Sequence, residues 1–234
     1  MFGVDGARGG WILAGCDGQG GWAYFVPGLD VVLEKTKDAR VLIDMPIGLA
    51  SVAQKQRRCD AEARAFLGKG LTSRVFTPPI REVIHCEDYA EANEASRRLI
   101  DKGISIQAWN IVPKIRDVEN ILLAQTQLQK LWIEAHPEVA FACLNDGVPV
   151  REPKISLQGQ EKREGILRRY SIEFQAIWLA LATGGIGGRF QRDDVLDALA
   201  LAALNRHSMQ LQYLPTVFER DPLGLPMRIA FGRV

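Results

Sequence analysis

Five carboxylates stand where they can do chemistry together. Asp5 follows the apolar run "FGV", Asp44 follows "VLI" and Glu134 follows "LWI", so each closes a short strand-like stretch. Asp194 and Asp197 interrupt the otherwise oily segment "DDVLDALALAALN", and residues three apart share one face of a helix. The carboxyl ends of neighbouring strands converge at one edge of a sheet. Several carboxylates within a few ångströms repel one another, which a folded chain tolerates only if a cation or shared protons offset the charge. A pair of Mg²⁺ or Mn²⁺ ions about 3.5–4 Å apart on oxygen ligands is the common solution. It activates a water on one side of a phosphodiester and stabilises the leaving oxygen on the other. A plainer reading stays open: Asp193 and Asp194 favour the amino-terminal cap and dipole of the helix, and Asp197 faces solvent.

Other side chains cluster around these motifs. In "IEAHPEVAF", Glu134 is a candidate additional ligand and His136 a candidate general acid or base oriented by Glu138. Equally, Pro137 ends the strand, Glu138 opens the next helix and the backbone satisfies His136. Arg8, just after Asp5, is a candidate phosphate contact because a guanidinium matches phosphate geometry. Arg74 and Arg81, which bracket "VFTPPI", and Lys114 are further substrate-binding candidates. Trp109 is a base-stacking candidate or a core residue of an amphipathic helix. Lys154, in a loop before "SLQGQEKR", could reach the site, and a solvated position is the plainer reading.

The elements that must position these groups follow from pattern. "FGVD", "WILAGC" and "WAYFVP", separated by the glycine turns "GARGG" and "GQGG", read as an antiparallel meander. A helix containing Leu29, Val32 and Leu33 follows, then "VLIDMP", an apolar run of the kind buried on both faces of a sheet. From Ser51 to about Gln129 the chain reads as mostly helical: one helix capped by Ser51, a second near 87–99 and a third near 105–129 bent at Pro113. "LWIEAHP" is the next strand, and helices near 159–170, 171–182 and 193–205 complete the chain before a closing loop with a short edge strand. The order β-β-β-α-β, a helical insertion, β, then helices, predicts an α/β fold: one domain over 1–234, with a mixed sheet, helices on both faces and an insertion at about 51–129.

Composition narrows the class. With 47% hydrophobic and 24% charged residues and a mean hydropathy of -0.05, the chain is an ordinary globular one. No apolar run reaches the roughly 18 residues of a membrane span, so no membrane partner and a cytoplasmic location are expected. A net charge of +1 argues against coating nucleic acid by bulk electrostatics. The distribution is more informative: residues 51–116 carry 12 basic and 8 acidic side chains, whereas 117–150 carry 1 and 5. Basic arms flanking an acidic centre suit phosphate contacts, and solvated helix faces explain them as well. Cys16, Cys59, Cys86 and Cys143 have no C-x-x-C spacing, which fits thiols acting as small hydrophobes.

"GVDGARGGW", "IDMPIGL", "VFTPP", "IEAHPEVAF" and "DDVLDALALAA" in this order resemble the family known as domain of unknown function 429, described as predicted nucleases of ribonuclease H fold. The likeness extends over essentially the whole chain. The final helix separately resembles that of RuvC-type Holliday junction resolvases and their YqgF relatives. The resemblance implies a metal bound by an acid on the first strand, one on the fourth strand and two on that helix, which fall on Asp5, Asp44, Asp194 and Asp197. Glu134 and "HPE" depart from that pattern. The expected activity is therefore metal-dependent hydrolysis of DNA or RNA, with a homodimer left open. The competing readings are a nucleic-acid or protein-binding module on the same scaffold, a small-nucleotide hydrolase, and a phosphotransferase of actin or sugar-kinase type. The last duplicates its core in two domains, for which 234 residues leave no room, and "GGIGG" lacks the strand-helix context of a phosphate loop.

Overall fold

Three strands joined by glycine turns open the chain: β1 (Phe2–Ala7), β2 (Gly10–Cys16) and β3 (Gly21–Val26), paired antiparallel in succession. The β1–β2 turn is two residues, Arg8 and Gly9, and Gly9 takes the positive φ of 73° that the reversal needs. Helix α1 (Leu29–Thr36) then returns the chain, so that β4 (Val41–Ile43) runs parallel to β1, and β5 (Trp132–Glu134) runs parallel to β4. The result is a mixed five-stranded sheet of order β3-β2-β1-β4-β5. In this computed structural model, residues 1–184 and 189–234 are described. The "GGIGG" stretch lies almost wholly outside them.

Two compact units divide the chain. The first holds Met1–Met45, Lys130–Tyr213 and Ala230–Val234, and the second holds Pro46–Gln129 and Leu214–Ile229. In the first, the sheet is followed by α6 (Pro137–Leu144), α7 (Leu157–Arg168), α8 (Phe174–Thr183) and α9 (Arg192–His207). A two-stranded sheet of β6 (Leu211–Leu214) and β7 (Ile229–Gly232) closes the fold. The second unit contains α2 (Arg58–Leu67), α3 (Tyr89–Ile100), α4 (Ile106–Asn110) and α5 (Val112–Ala124). No helix among the described residues is long and apolar enough to cross a membrane.

Local physics moves several boundaries from where sequence pattern puts them. Ser51 does not cap a helix: its hydroxyl accepts from the Gln54 amide in a turn, and α2 begins only at Arg58. The third helix of the insertion is broken rather than bent. Pro113 lies in the first turn of α5, where its missing N–H costs nothing, and α4 ends at Asn110. The second unit has its own core of Ala50, Ile80, Val83, Ala92, Ile104 and Ala108, against which Tyr89, Leu99 and Trp109 pack. Trp109 is thus a core residue beside the Tyr89 ring, at 6.4 Å between centroids, rather than a platform for a base.

Helix α9 is the centrepiece of the first unit, buried continuously from Val195 to Asn205. It lies directly on β1 because Gly3 has no side chain. A Cβ there would sit 2.2 Å from the Ala198 carbonyl and 2.4 Å from the Ala202 amide. At the other end of the contact, the Asn205 amide donates to the carbonyls of Phe2 and Arg40. Helix and strand therefore run in opposite directions. Two residues of strand rise about 6.6 Å, about four residues of helix, so stepping from Gly3 to Asp5 moves along α9 from Ala202 towards Asp197. Side chains two apart on a strand share a face, so Asp5 emerges on the α9 side of the sheet.

Replacing Gly3 by Ala is expected to destabilise the protein by about 1–3 kcal/mol or more, because both opposing atoms are backbone and cannot step aside. Gly165→Ala is the matched control: it lies in α7 with open space around its Cα and should stabilise by about 0.5–1 kcal/mol. Urea denaturation midpoints of the two variants should move in opposite directions.

Candidate metal centre

The sheet register puts two aspartates side by side. Val4 of β1 is level with Ile43 of β4, and the ladder continues one step as the Asp44 amide donates to the Val4 carbonyl at 2.9 Å. Asp5 and Asp44 are therefore neighbours in the next row, and their carboxyls are hydrogen-bonded to each other. Asp5 also accepts from the Gly6 amide at 2.8 Å. Helix α9 delivers the other acids. Its N-cap is Gln191, not Asp193, and Asp194 closes a capping box by accepting from the Gln191 amide at 2.8 Å. Asp197, one turn further on, does not face solvent: it is 2% exposed.

Lys154 enters the centre, contrary to the solvated position expected for its loop. Its ammonium lies 2.8 Å from Asp197 and 3.2 Å from Asp193, which are one helical turn apart. The side chain is still 41% exposed, because the long stem spans from the loop surface to the buried carboxylates. Sequence pattern left this contact open beside the solvated reading, since a lysine in a polar loop carries no signal of which of the two its four-carbon stem will choose.

Burial raises the acids of this centre together. Burial, with the Asp44 and Asp197 carboxylates next to it, holds Asp5 well above the ordinary aspartate range. Burial lifts Asp44 to about 6 although Lys154 and the hydrogen bond from Asp5 pull the other way. Burial likewise lifts Asp197 to about 6 against the pull of Lys154, and lifts Asp194 to about 6 against its bond from the Gln191 amide. Burial works against the charge on Lys154, but Asp197 and Asp5 outweigh it and hold the ammonium firmly protonated. Like charges that cannot all ionise share protons. These all-oxygen donors suit a hard divalent ion such as Mg²⁺ or Mn²⁺.

The match to the family model described as "Protein of unknown function (DUF429)" runs over residues 3–216, and so takes in every residue of this centre. The chain belongs to the DUF429 family. No curated protein and no solved structure matches it.

The remaining candidates fall elsewhere. Glu134 is level with Ile43 and Val4, one row before Asp44 and Asp5. Side chains of successive rows point to opposite faces, so Glu134 is directed away from the aspartates, and Ala135 takes the position in their row. His136 caps α6, its Nδ1 accepting from the Glu138 backbone amide at 3.2 Å. The Glu138 carboxylate has a cation beside it. That carboxylate accepts from the wholly buried Arg163 guanidinium at 2.7 Å, and its charge is felt by Asp44 and Asp197. Arg163 is the functional neighbour that sequence reasoning missed. Arg8 is exposed at the tip of the β1–β2 turn, three residues beyond Asp5. Arg81 belongs to the second unit, where it is ion-paired with Glu119 at 2.7 Å and with Asp221. It is committed there to fastening 214–229 to the helices, which is not a substrate-binding role. Arg74 and Lys114 also lie in the second unit, half-buried.

Two outcomes follow. The raised aspartates bind protons in the folded chain that they release when unfolded, so they weaken the metal-free fold as pH climbs from the ordinary 3.8 through about 6. In EDTA, Asp44→Asn should therefore be more stable than the parent by roughly 1–3 kcal/mol at pH 7.5, with the gap closing by pH 4, as read by thermal melts across pH. Arg163→Met should cost about 3–5 kcal/mol by stranding the buried Glu138 carboxylate, and adding Glu138→Gln should recover part of that in the same melts.

Proposed function

We propose that this protein is a metal-dependent phosphodiesterase acting on DNA or RNA, on a ribonuclease H-like scaffold. The observation that carries the reading is the convergence of Asp5, Asp44, Asp194 and Asp197 on one face of the sheet edge, with Lys154 as the one ammonium ion-paired there among the described residues. A merely structural role would not explain it, because neutral side chains would fill the same space at lower cost. The β-β-β-α-β order, with β1 central and parallel to β4, supports the scaffold half of the reading, as does the resemblance of the last helix to that of the resolvases.

In this reading Asp5 and Asp44 hold a divalent ion from the strand side and Asp194 from the helix side. A bound Mg²⁺ or Mn²⁺ supplies Lewis-acid polarisation of a phosphoryl oxygen and an acidified water at neutral pH. The chain's own groups do the rest. Gly3 and Asn205 fix the height of α9 on β1, and so the spacing of the strand and helix carboxylates. The capping box fixes the Asp194 rotamer. Arg163 holds Glu138 in place, so that this extra acid near the centre stays neutralised. Arg8, exposed on the turn after Asp5, is placed to meet a phosphate of the incoming strand. In the reaction a water oxygen would bond to phosphorus as the bond to the leaving sugar oxygen breaks; the water gives one proton to solvent and the leaving oxygen takes one from it.

The decisive experiment sets the parent protein and Asp44→Asn against labelled single-stranded, duplex, hybrid and branched DNA and RNA, with Mg²⁺, Mn²⁺ or EDTA. Cleavage is expected only with metal and is expected to fall by at least about a thousandfold in the variant, the scale of losing a group that stabilises the transition state directly. Binding of the same nucleic acids without cleavage in either protein, and without any effect of metal, would instead make the chain a binding module.

A further inference from the structure

Sequence pattern alone suggests two metal ions, but the geometry around Lys154 points to a different division of labour. Asp193 and Asp197 lie one helical turn apart and both are taken by the same ammonium, at 3.2 and 2.8 Å. Asp197 is buried to 3% at its side chain, so Lys154 is not a chance surface partner for it. The charge of Lys154 also reaches Asp5, Asp44 and Asp194. No other lysine or arginine is ion-paired to these five aspartates among the described residues. Arg163, the nearest further cation by role, is spent on Glu138. With Lys154 taken by Asp197 and Asp193, the acids of the cluster that have no ion pair among the described residues are Asp5, Asp44 and Asp194.

We propose that Lys154 is the resident second cation of the centre: its ammonium neutralises Asp197 and Asp193 and leaves Asp5, Asp44 and Asp194 to bind one divalent ion per chain. The inference rests on the metal-centre reading above and deepens it. The centre is then of one-metal type, with a tethered ammonium in place of the second ion. A tethered cation has two consequences. It repels a second divalent ion from the Asp197 side. It also puts a fixed positive charge beside the reacting phosphate without needing to give up its proton.

The test is isothermal titration calorimetry of Mn²⁺ into the whole protein, comparing the parent with Lys154→Met, Lys154→Arg and Asp44→Asn. The parent should bind one equivalent. Lys154→Met should bind a second equivalent, or bind the first roughly tenfold or more tightly, because a repelling charge within a few ångströms of the ion has gone. Lys154→Arg, which keeps the charge, should behave as the parent does, and Asp44→Asn should lose the site. Two equivalents in the parent would overturn the proposal while leaving the metal centre standing, and this holds even if Lys154→Met fails to fold. Unchanged or weaker binding in a folded Lys154→Met, judged by its melting curve, would overturn it equally. If none of the proteins bound Mn²⁺, the metal-centre reading itself would fall and this inference with it.

Discussion

The contact between α9 and β1 sets everything else in the first unit. A helix normally rests on a sheet at a distance set by side chains on both surfaces. Here the strand contributes hydrogen at Gly3, and the helix contributes Ala198 and Ala202 against it. The backbones approach closely, and Asn205 pins the far end by bonding two carbonyls of neighbouring strands, those of Phe2 and Arg40. Because helix and strand are antiparallel, this one seat converts the carboxyl end of β1 and the amino end of α9 into a single location. The acids are brought together by a packing choice made at residues that carry no charge.

That arrangement works against the stability of the chain. Burial and mutual repulsion push Asp5, Asp44, Asp194 and Asp197 upward together, so each ionisation at neutral pH is partly unfavourable in the folded state. Local choices elsewhere agree with the fold: Ser105, Asp88 and Ser156 each cap the helix that follows them, and consistency of this kind is what lets a sequence specify one structure. Violations of it concentrate where a chain has a task beyond folding.

The parts legible in the sequence were those with a period or a punctuation mark. The three opening strands, the parallel pair and the long final helix follow from alternation, apolar runs and glycine turns, and so does the position of Asp44 just past β4, whereas Asp5 lies within β1, level with Ile12 of β2 rather than at the strand's end. Face and register were less legible. Glu134 ends an apolar run as Asp44 does, and only the pairing of Ile43 with Glu134 shows that it falls one row short and points the other way. A one-residue offset in a strand reverses the side chain, and no composition or spacing reports it. Ser51 failed for a related reason: a serine before helix-forming residues is a cap or a turn depending on whether the next amides are helical. Arg163 could not be placed, and Lys154 only as a side chain able to reach the site, because long flexible side chains reach partners 25 and 43 residues away in sequence.

The contrast within the first unit is the strongest argument that the aspartate cluster is there to bind something. Two other acids of the unit each have an arginine beside them. Arg163 meets Glu138 at 2.7 Å, Arg192 meets Glu164 at 2.7 Å, and Arg40 bonds Asn205 rather than an acid. The fold evidently has arginines at its disposal and can bring them to acids it buries. At the sheet edge it brings one lysine to five aspartates, Asp5, Asp44, Asp193, Asp194 and Asp197. Chain-borne cations there would have made the protein more stable and would also have filled the site. A deficit of positive charge in this one place, amid matched pairs, is the expected form of a site whose remaining counter-charge arrives from solution.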